Sequence, residues 1–219
     1  MKLRNLFATG VAVALTQTAH AIPFDSANVG DTLDTATFLG GGIDRINGSL
    51  IAGTANLFGF YWGGGEFNIN TVNSSMADTQ LFLFDSLGHG VLANDDRNRS
   101  GEDNWSGIRT DFLGSGSYFL GISGYNIDPY WLNPNTGYER LIFPDRPYGI
   151  NGPINDRRTL SLWAPGPDAP GGSGGSYRIN FRTSTTSVPE PGTLALLGLG
   201  LVGIAFSMRR RRRLQPTSR

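Results

Sequence analysis

The chain has no cysteine. That excludes a disulfide framework, a thiolate nucleophile and a cysteine-ligated zinc site. Its two histidines are His20 and His89, so a zinc centre would rest on one or two imidazoles plus carboxylates, a poor donor set. Lysine occurs once, at Lys2, which removes Ser–Lys and Schiff-base mechanisms from the rest of the chain. No window of ordinary helix length between the two ends has helical periodicity. What the sequence has in plenty is glycine, 31 of 219 residues, about twice the usual share and a mark of turn-rich β structure. The formal net charge is zero, but it averages three unlike segments. Residues 22–187 hold 10 arginines against 17 acidic residues, a net charge of −7. Such a stretch repels phosphate backbones, so no nucleic-acid partner is expected.

The two ends read as addresses. Lys2 and Arg4 precede an apolar run at 6–15, and Ala19-His20-Ala21 follows. Basic, apolar, then small-x-small is the order of a secretory signal peptide, with Ala19 and Ala21 marking cleavage and 1–21 removed. The apolar run is shorter than the roughly 20 residues that span a bilayer. At the other end Val188-Pro189-Glu190-Pro191-Gly192 leads into an uncharged stretch at 193–208, then Arg209, Arg210, Arg211, Arg212 and Arg213. The stretch is at the short limit for a membrane helix, and snorkelling arginines lengthen it. The arginine block holds its flank on the cytoplasmic side, so the middle of the chain lies beyond the inner membrane. A nucleic-acid patch is the rival reading of the block; the apolar run before it already accounts for the arginines.

Val-Pro-Glu-Pro, a short apolar helix and an arginine cluster in that order resemble the PEP-CTERM sorting signal of Gram-negative bacteria. The resemblance covers 188–213 and leaves 214–219 as a cytoplasmic tail. It implies recognition of the Pro-Glu-Pro by an exosortase, a membrane-embedded enzyme resembling cysteine proteases, and delivery to the cell surface or an exopolysaccharide matrix. The two prolines fit such a role, since they fix an extended stretch without backbone donors.

Between the ends the pattern is of strands. Tyr177, Ile179 and Phe181 alternate with Arg178, Asn180 and Arg182, a half-buried strand. Leu81-Phe82-Leu83-Phe84 is an unbroken apolar run, which predicts a strand covered on both faces; 57–62 is similar. Further strands are predicted at 46–51, 67–72, 90–93, 107–112, 118–122, 140–143 and 159–163, with glycine- and proline-rich turns between them. Residues 126–155, rich in Pro, Asn and aromatics, read as a long binding loop or a self-packed insertion holding one strand. The fold class is therefore all-β: a jelly-roll-like β-sandwich of about nine or ten strands over 22–183, flanked by a signal helix and a single membrane helix, with 184–187 as a polar linker.

Asp78-Thr79-Gln80-Leu81-Phe82-Leu83-Phe84-Asp85, Gly88, Val91-Leu92-Ala93-Asn94-Asp95-Asp96 and Gly116-Ser117-Tyr118-Phe119-Leu120-Gly121-Ile122 resemble the bacterial pre-peptidase C-terminal domain. That resemblance covers about 48–123. It implies a non-catalytic jelly-roll appendage that aids secretion or binds matrix polymers, some members with calcium near the strand ends. Where members carry an acidic pair before the strand at 57, this chain reads Ala55-Asn56.

One acidic loop suits a hard cation. Asn94, Asp95, Asp96, Glu102 and Asp103 supply four carboxylates and an amide, the oxygen donors calcium takes. Calcium is accordingly the one cofactor to test, and no other is indicated. The alternative is a solvated turn in which Asn and Asp bond their own backbone, with Arg97 and Arg99 neutralising the charge. His89 sits between two glycines and reads as a hairpin residue rather than a catalytic base. Trp105 and Trp131 fall in predicted loops and are the candidates for stacking on sugars, whereas Trp62 and Trp163 read as packing residues. Four Asn-x-Ser triplets, at Asn47, Asn73, Asn98 and Asn104, read as turn composition. The expectation is an exported, non-catalytic protein whose partners are the export machinery and signal peptidase, the exosortase, the inner membrane as a transient anchor, and exopolysaccharide. A calcium-dependent carbohydrate- or protein-binding module is the second reading, and a glycan hydrolase using paired carboxylates the third.

Overall fold

Alternation of side chains along a strand decides which layer each residue enters. In Leu81-Phe82-Leu83-Phe84 every residue is fully buried, yet Leu81 and Leu83 join one hydrophobic core while Phe82 and Phe84 join another. The predicted two-sided burial therefore holds. The computed structural model describes residues 24–25, 29–98, 104–141, 152, 157–166 and 171–182, all of them strand, turn or loop with no helix. The signal segment 1–21, the linker 184–187, the sorting segment 188–213 with its apolar stretch 193–208, and the tail 214–219 lie outside the described residues.

Among the described residues thirteen strands run in the order β1 (Phe24–Asp25), β2 (Thr37–Phe38), β3 (Arg45–Leu50), β4 (Ala55–Trp62), β5 (Gly65–Asn70), β6 (Thr79–Asp85), β7 (Gly90–Asn94), β8 (Gly107–Leu113), β9 (Gly116–Gly124), β10 (Ile127–Asn133), β11 (Gly137–Arg140), β12 (Leu162–Pro165) and β13 (Gly175–Phe181). The first sheet has the order β1-β3-β13-β5-β8 and the second β2-β4-β9-β6-β7. Apart from the two-residue pairings β1–β3 and β2–β4, both are antiparallel. Their facing sides share the main core, in which Ile46, Phe67, Ile69, Ile108 and Ile179 meet Phe58, Phe60, Leu81, Leu83 and Ile122. Trp62 packs edge-on to Phe67 at 5.1 Å across that interface. The arrangement is sandwich-like.

The segment at 126–155 departs from expectation. Instead of a loop with one strand at 140–143, β10 and β11 form a hairpin, and β12 pairs on the other side of β10 to make a three-stranded sheet. Leu141 and Leu160 join Leu57, Phe82, Phe84 and Phe119 in the second core, so this sheet and its flanks cover the outer side of the second sheet. Trp163 stands edge-on to Phe82 at 5.3 Å, which places it in the packing role expected of it. Opposite Phe82 in the ladder is Gly121, where an added Cβ would lie 2.6 Å from the Trp163 ring; only glycine lets the indole sit that close. The strand count exceeds the predicted nine or ten because of this hairpin and the two short parallel pairings.

Because Phe82 belongs to the second core, its loss opens a cavity between two layers at once. We expect Phe82→Ala to lower unfolding free energy by about 3–5 kcal/mol, read from urea melts of the full chain in detergent; a loss below about 1 kcal/mol would show that the third layer does not pack as described.

Candidate cation site

The site lies where the chain crosses from the second sheet to the first. β7 ends at Asn94 and β8 begins at Gly107, and Asp78 immediately precedes β6, the neighbour of β7. Beneath it, three buried hydroxyls lock the strand starts: Thr71 Oγ1 lies 2.6 Å from Thr79 Oγ1, Thr79 Oγ1 lies 3.0 Å from Ser106 Oγ, and the Ser106 N–H donates to Thr71 Oγ1 at 2.9 Å. Asn94 ties the crossing segment down, accepting the Gly107 N–H at 2.6 Å and donating to the Asp96 carbonyl at 3.1 Å. Asn104 pairs with Asp78 in an isolated bridge and donates its amide to Asp78 Oδ2 at 3.1 Å.

On this support Asp78, Asp95 and Asp96 place one carboxylate oxygen each within 4.8 Å of one another. Asp95 is only 6% exposed, and its Oδ1, like that of Asp78, is buried without a hydrogen bond. Two unit charges at such a distance repel by about 3 kcal/mol at an effective dielectric of about 20. Burial pushes the Asp95 carboxyl up to about 8, with the charges of Asp78, Asp96 and Asp128 acting in the same direction. Asp78 is raised to about 6, chiefly by burial; the Asn104 hydrogen bond opposes this and Asp96 adds to it. Asp128, on β10, has its own counter-charge in Arg140, whose Nε lies 3.2 Å from Asp128 Oδ2. The donors are all hard oxygens, which suits calcium or magnesium rather than a softer metal.

Of the sequence-predicted ligands, Asp95 and Asp96 come together in this cluster. Asn94 is beside it as a structural tie, and Glu102 and Asp103 lie outside the described residues. Asp78 was not among the predicted ligands. The hairpin register could have found it: Leu81 pairs with Asn94, so the residues before Leu81 run alongside those after Asn94. The two sugar-stacking candidates are not bare platforms. Trp105 is half-buried with the Arg97 guanidinium 5.9 Å from its ring centroid. Trp131 is in strand β10 rather than a loop, beneath the Arg158 guanidinium at 4.5 Å, and its Nε1 donates to Glu139 at 3.3 Å. Hydrogen bonds from Thr136 and Asn133 to the same carboxylate, with a smaller contribution from that of Trp131, hold Glu139 well below the usual carboxylate range, at about 2. His89 closes the β6–β7 turn, its Nδ1 3.0 Å from Asp85 Oδ2.

The carboxyl raised in the folded state sets a sign. A group that holds its proton more tightly when folded contributes stability that is full below its unfolded value and lost as pH rises through its folded value. For Asp95 the window runs from about 4 to about 8. In EDTA the urea midpoint of the chain should fall between pH 5 and pH 8.5, and Asp95→Asn should flatten that fall. A midpoint that climbs over this range, alike in both proteins, would contradict the crowding of these carboxylates.

Comparison with known proteins places one segment. Residues 187–212 match the family of the PEP-CTERM protein-sorting motif. Nothing among curated proteins matches the chain. The matched motif is that of an exported protein, a membrane-anchored precursor that an exosortase processes for the cell surface.

Proposed function

We propose that this chain is an exported, non-catalytic β-sandwich module that holds calcium at Asp78, Asp95 and Asp96 and serves at the cell surface or in an exopolysaccharide matrix. One observation carries the reading: three carboxylates from two chain segments converge within 4.8 Å, the most buried of them with an oxygen that meets no donor. A divalent cation is the species whose presence turns that repulsion into attraction. Calcium is favoured over magnesium because it accepts six to eight oxygens in irregular geometry, whereas magnesium demands a near-ideal octahedron. Backbone carbonyls and water complete the shell.

The resemblance to the pre-peptidase C-terminal domain gains support from topology. Its three motif segments fall on β6, β7 and β9, and these are adjacent strands in the order β9-β6-β7, as one jelly-roll half requires. The cation sits at the end of this half, where it fastens the crossing between sheets. On this reading calcium is a clip, and the module is assembled only after export, where calcium is plentiful.

Two outcomes follow. At pH 7.5, millimolar calcium should raise the melting temperature of the full chain by roughly 5–10 °C, as expected of a site saturated about 100-fold above its Kd. Magnesium should do much less, and Asp95→Asn should abolish the gain; an unchanged melting temperature in the wild-type chain refutes the site. For the sorting motif, Glu190→Ala should leave the chain in the membrane fraction of the producing cell while the wild type reaches the surface. Identical fractionation would separate this chain from exosortase processing.

A further inference from the structure

The outer face of the first sheet carries a charge opposite to that of the protein around it. Ile46, Ile69, Ile108 and Ile179 point into the main core, so their strand neighbours point outward. The register then sets those outward residues in rows: Asn47 beside Arg178, Asn180 between Arg45 and Asn70, and Asn68 beside Arg109. Arg182 extends β13 past Phe181, its N–H donating to the Asn68 carbonyl at 2.9 Å. Between β3 and β8, three strand spacings of about 4.8 Å each, the face is mainly arginine and asparagine over roughly 14 Å, with the carboxylates Glu66 and Asp111 confined to the end where β5 begins and β8 ends.

Two clefts open on it. One, of about 380 Å³, is lined by Asn47, Asn73, Ser176 and Arg178 among others. The second, of about 650 Å³, lies between Asn68, Asn70, Arg97, Arg109 and Arg182. Both fall within the range of ligand sites, about 300–1,000 Å³, and neither has a carboxylate in its lining. Arg178 lines the smaller cleft, and its Nε is buried with no hydrogen-bond partner. Arg109 meets Glu66 at 3.4 Å, but both side chains are exposed, so that pair is easily exchanged for another anion. Within residues 22–187, where acids outnumber arginines 17 to 10, a face of this composition is a local inversion of charge.

We infer that this face binds an extended anionic polysaccharide whose sugars bear carboxylates. A guanidinium fork matches a carboxylate in two parallel hydrogen bonds. Asparagine amides both donate and accept, which matches the hydroxyls between the charged groups. A polynucleotide fits less well, since Tyr177, on the strand at the middle of this face, is turned into the core at 3% exposure and offers no ring for a base to stack on. The inference rests on the reading of an exported matrix module only for where such a polymer is met, and it makes no use of the cation.

The test is calorimetric titration of the full chain in detergent with oligogalacturonate, in EDTA so that calcium plays no part. The wild type should bind, more weakly as salt is added, and a neutral glucan of equal length should not. Arg178→Gln combined with Arg182→Gln should weaken binding about tenfold or more with an unchanged melting temperature. Arg109→Gln with Arg182→Gln, both exposed positions, gives the same reading should Arg178 prove needed for folding. Asp95→Asn should bind as the wild type does, which keeps this result separate from the calcium melt. Absence of binding in EDTA, full binding by the folded arginine variants, or tighter binding of single-stranded DNA would each overturn the assignment.

Discussion

Four consecutive apolar side chains in β6, sent alternately to two sides, hold the three layers of this protein together. Leu81 and Leu83 fasten the second sheet to the first; Phe82 and Phe84 fasten it to the hairpin sheet and to Trp163. A strand with one polar face would leave either the sandwich or the outer layer without an anchor. β6 also pairs on both edges, with β9 and with β7, so its backbone donors and acceptors are met without solvent. The buried position of Gly121, cleared for the indole above it, is a consequence of the same close stacking.

Charge is organised on that frame by sheet rather than by sequence. The carboxylates Asp78, Asp95 and Asp96 gather where the chain leaves one sheet for the other, and the arginines Arg45, Arg109, Arg178 and Arg182 spread over the solvent face of the first. Asn94 belongs to both regions, since it holds the Asp96 carbonyl and also lines the larger cleft. Opposite potentials are thus kept apart by the width of one crossing segment. At Asp128, unlike at Asp95, the fold buries a carboxylate together with its counter-charge, Arg140, which offsets the cost of an interior charge.

Much of this architecture was legible in the sequence, and the parts that were not share a physical cause. β13 announces itself by strict alternation and β6 by an unbroken apolar run, both local signals. β10 gives neither, because Asp128 and Pro129 interrupt it. Its aspartate is buried only because Arg140 arrives from β11, and its proline is tolerated in a pairing that local pattern cannot foresee. The acidic loop was visible as composition, which found Asp95 and Asp96. Asp78 belongs to the cluster through strand pairing, a relation between distant residues. The tryptophans were placed by the turns around them, whereas their exposure was decided by which arginine came to lie across each ring.

β13, the described strand nearest the sorting motif in the chain, lies inside the first sheet, flanked by β3 over six register pairs and by β5 over two. Ladder hydrogen bonds run across an antiparallel pair, at right angles to its strands. Tension applied to the chain beyond β13, as in a membrane-anchored precursor, would therefore load those bonds in shear, all together, and would not peel them one after another. A fold pulled through an edge strand would unzip under drag; a pull on this inner strand has to break two ladders at once.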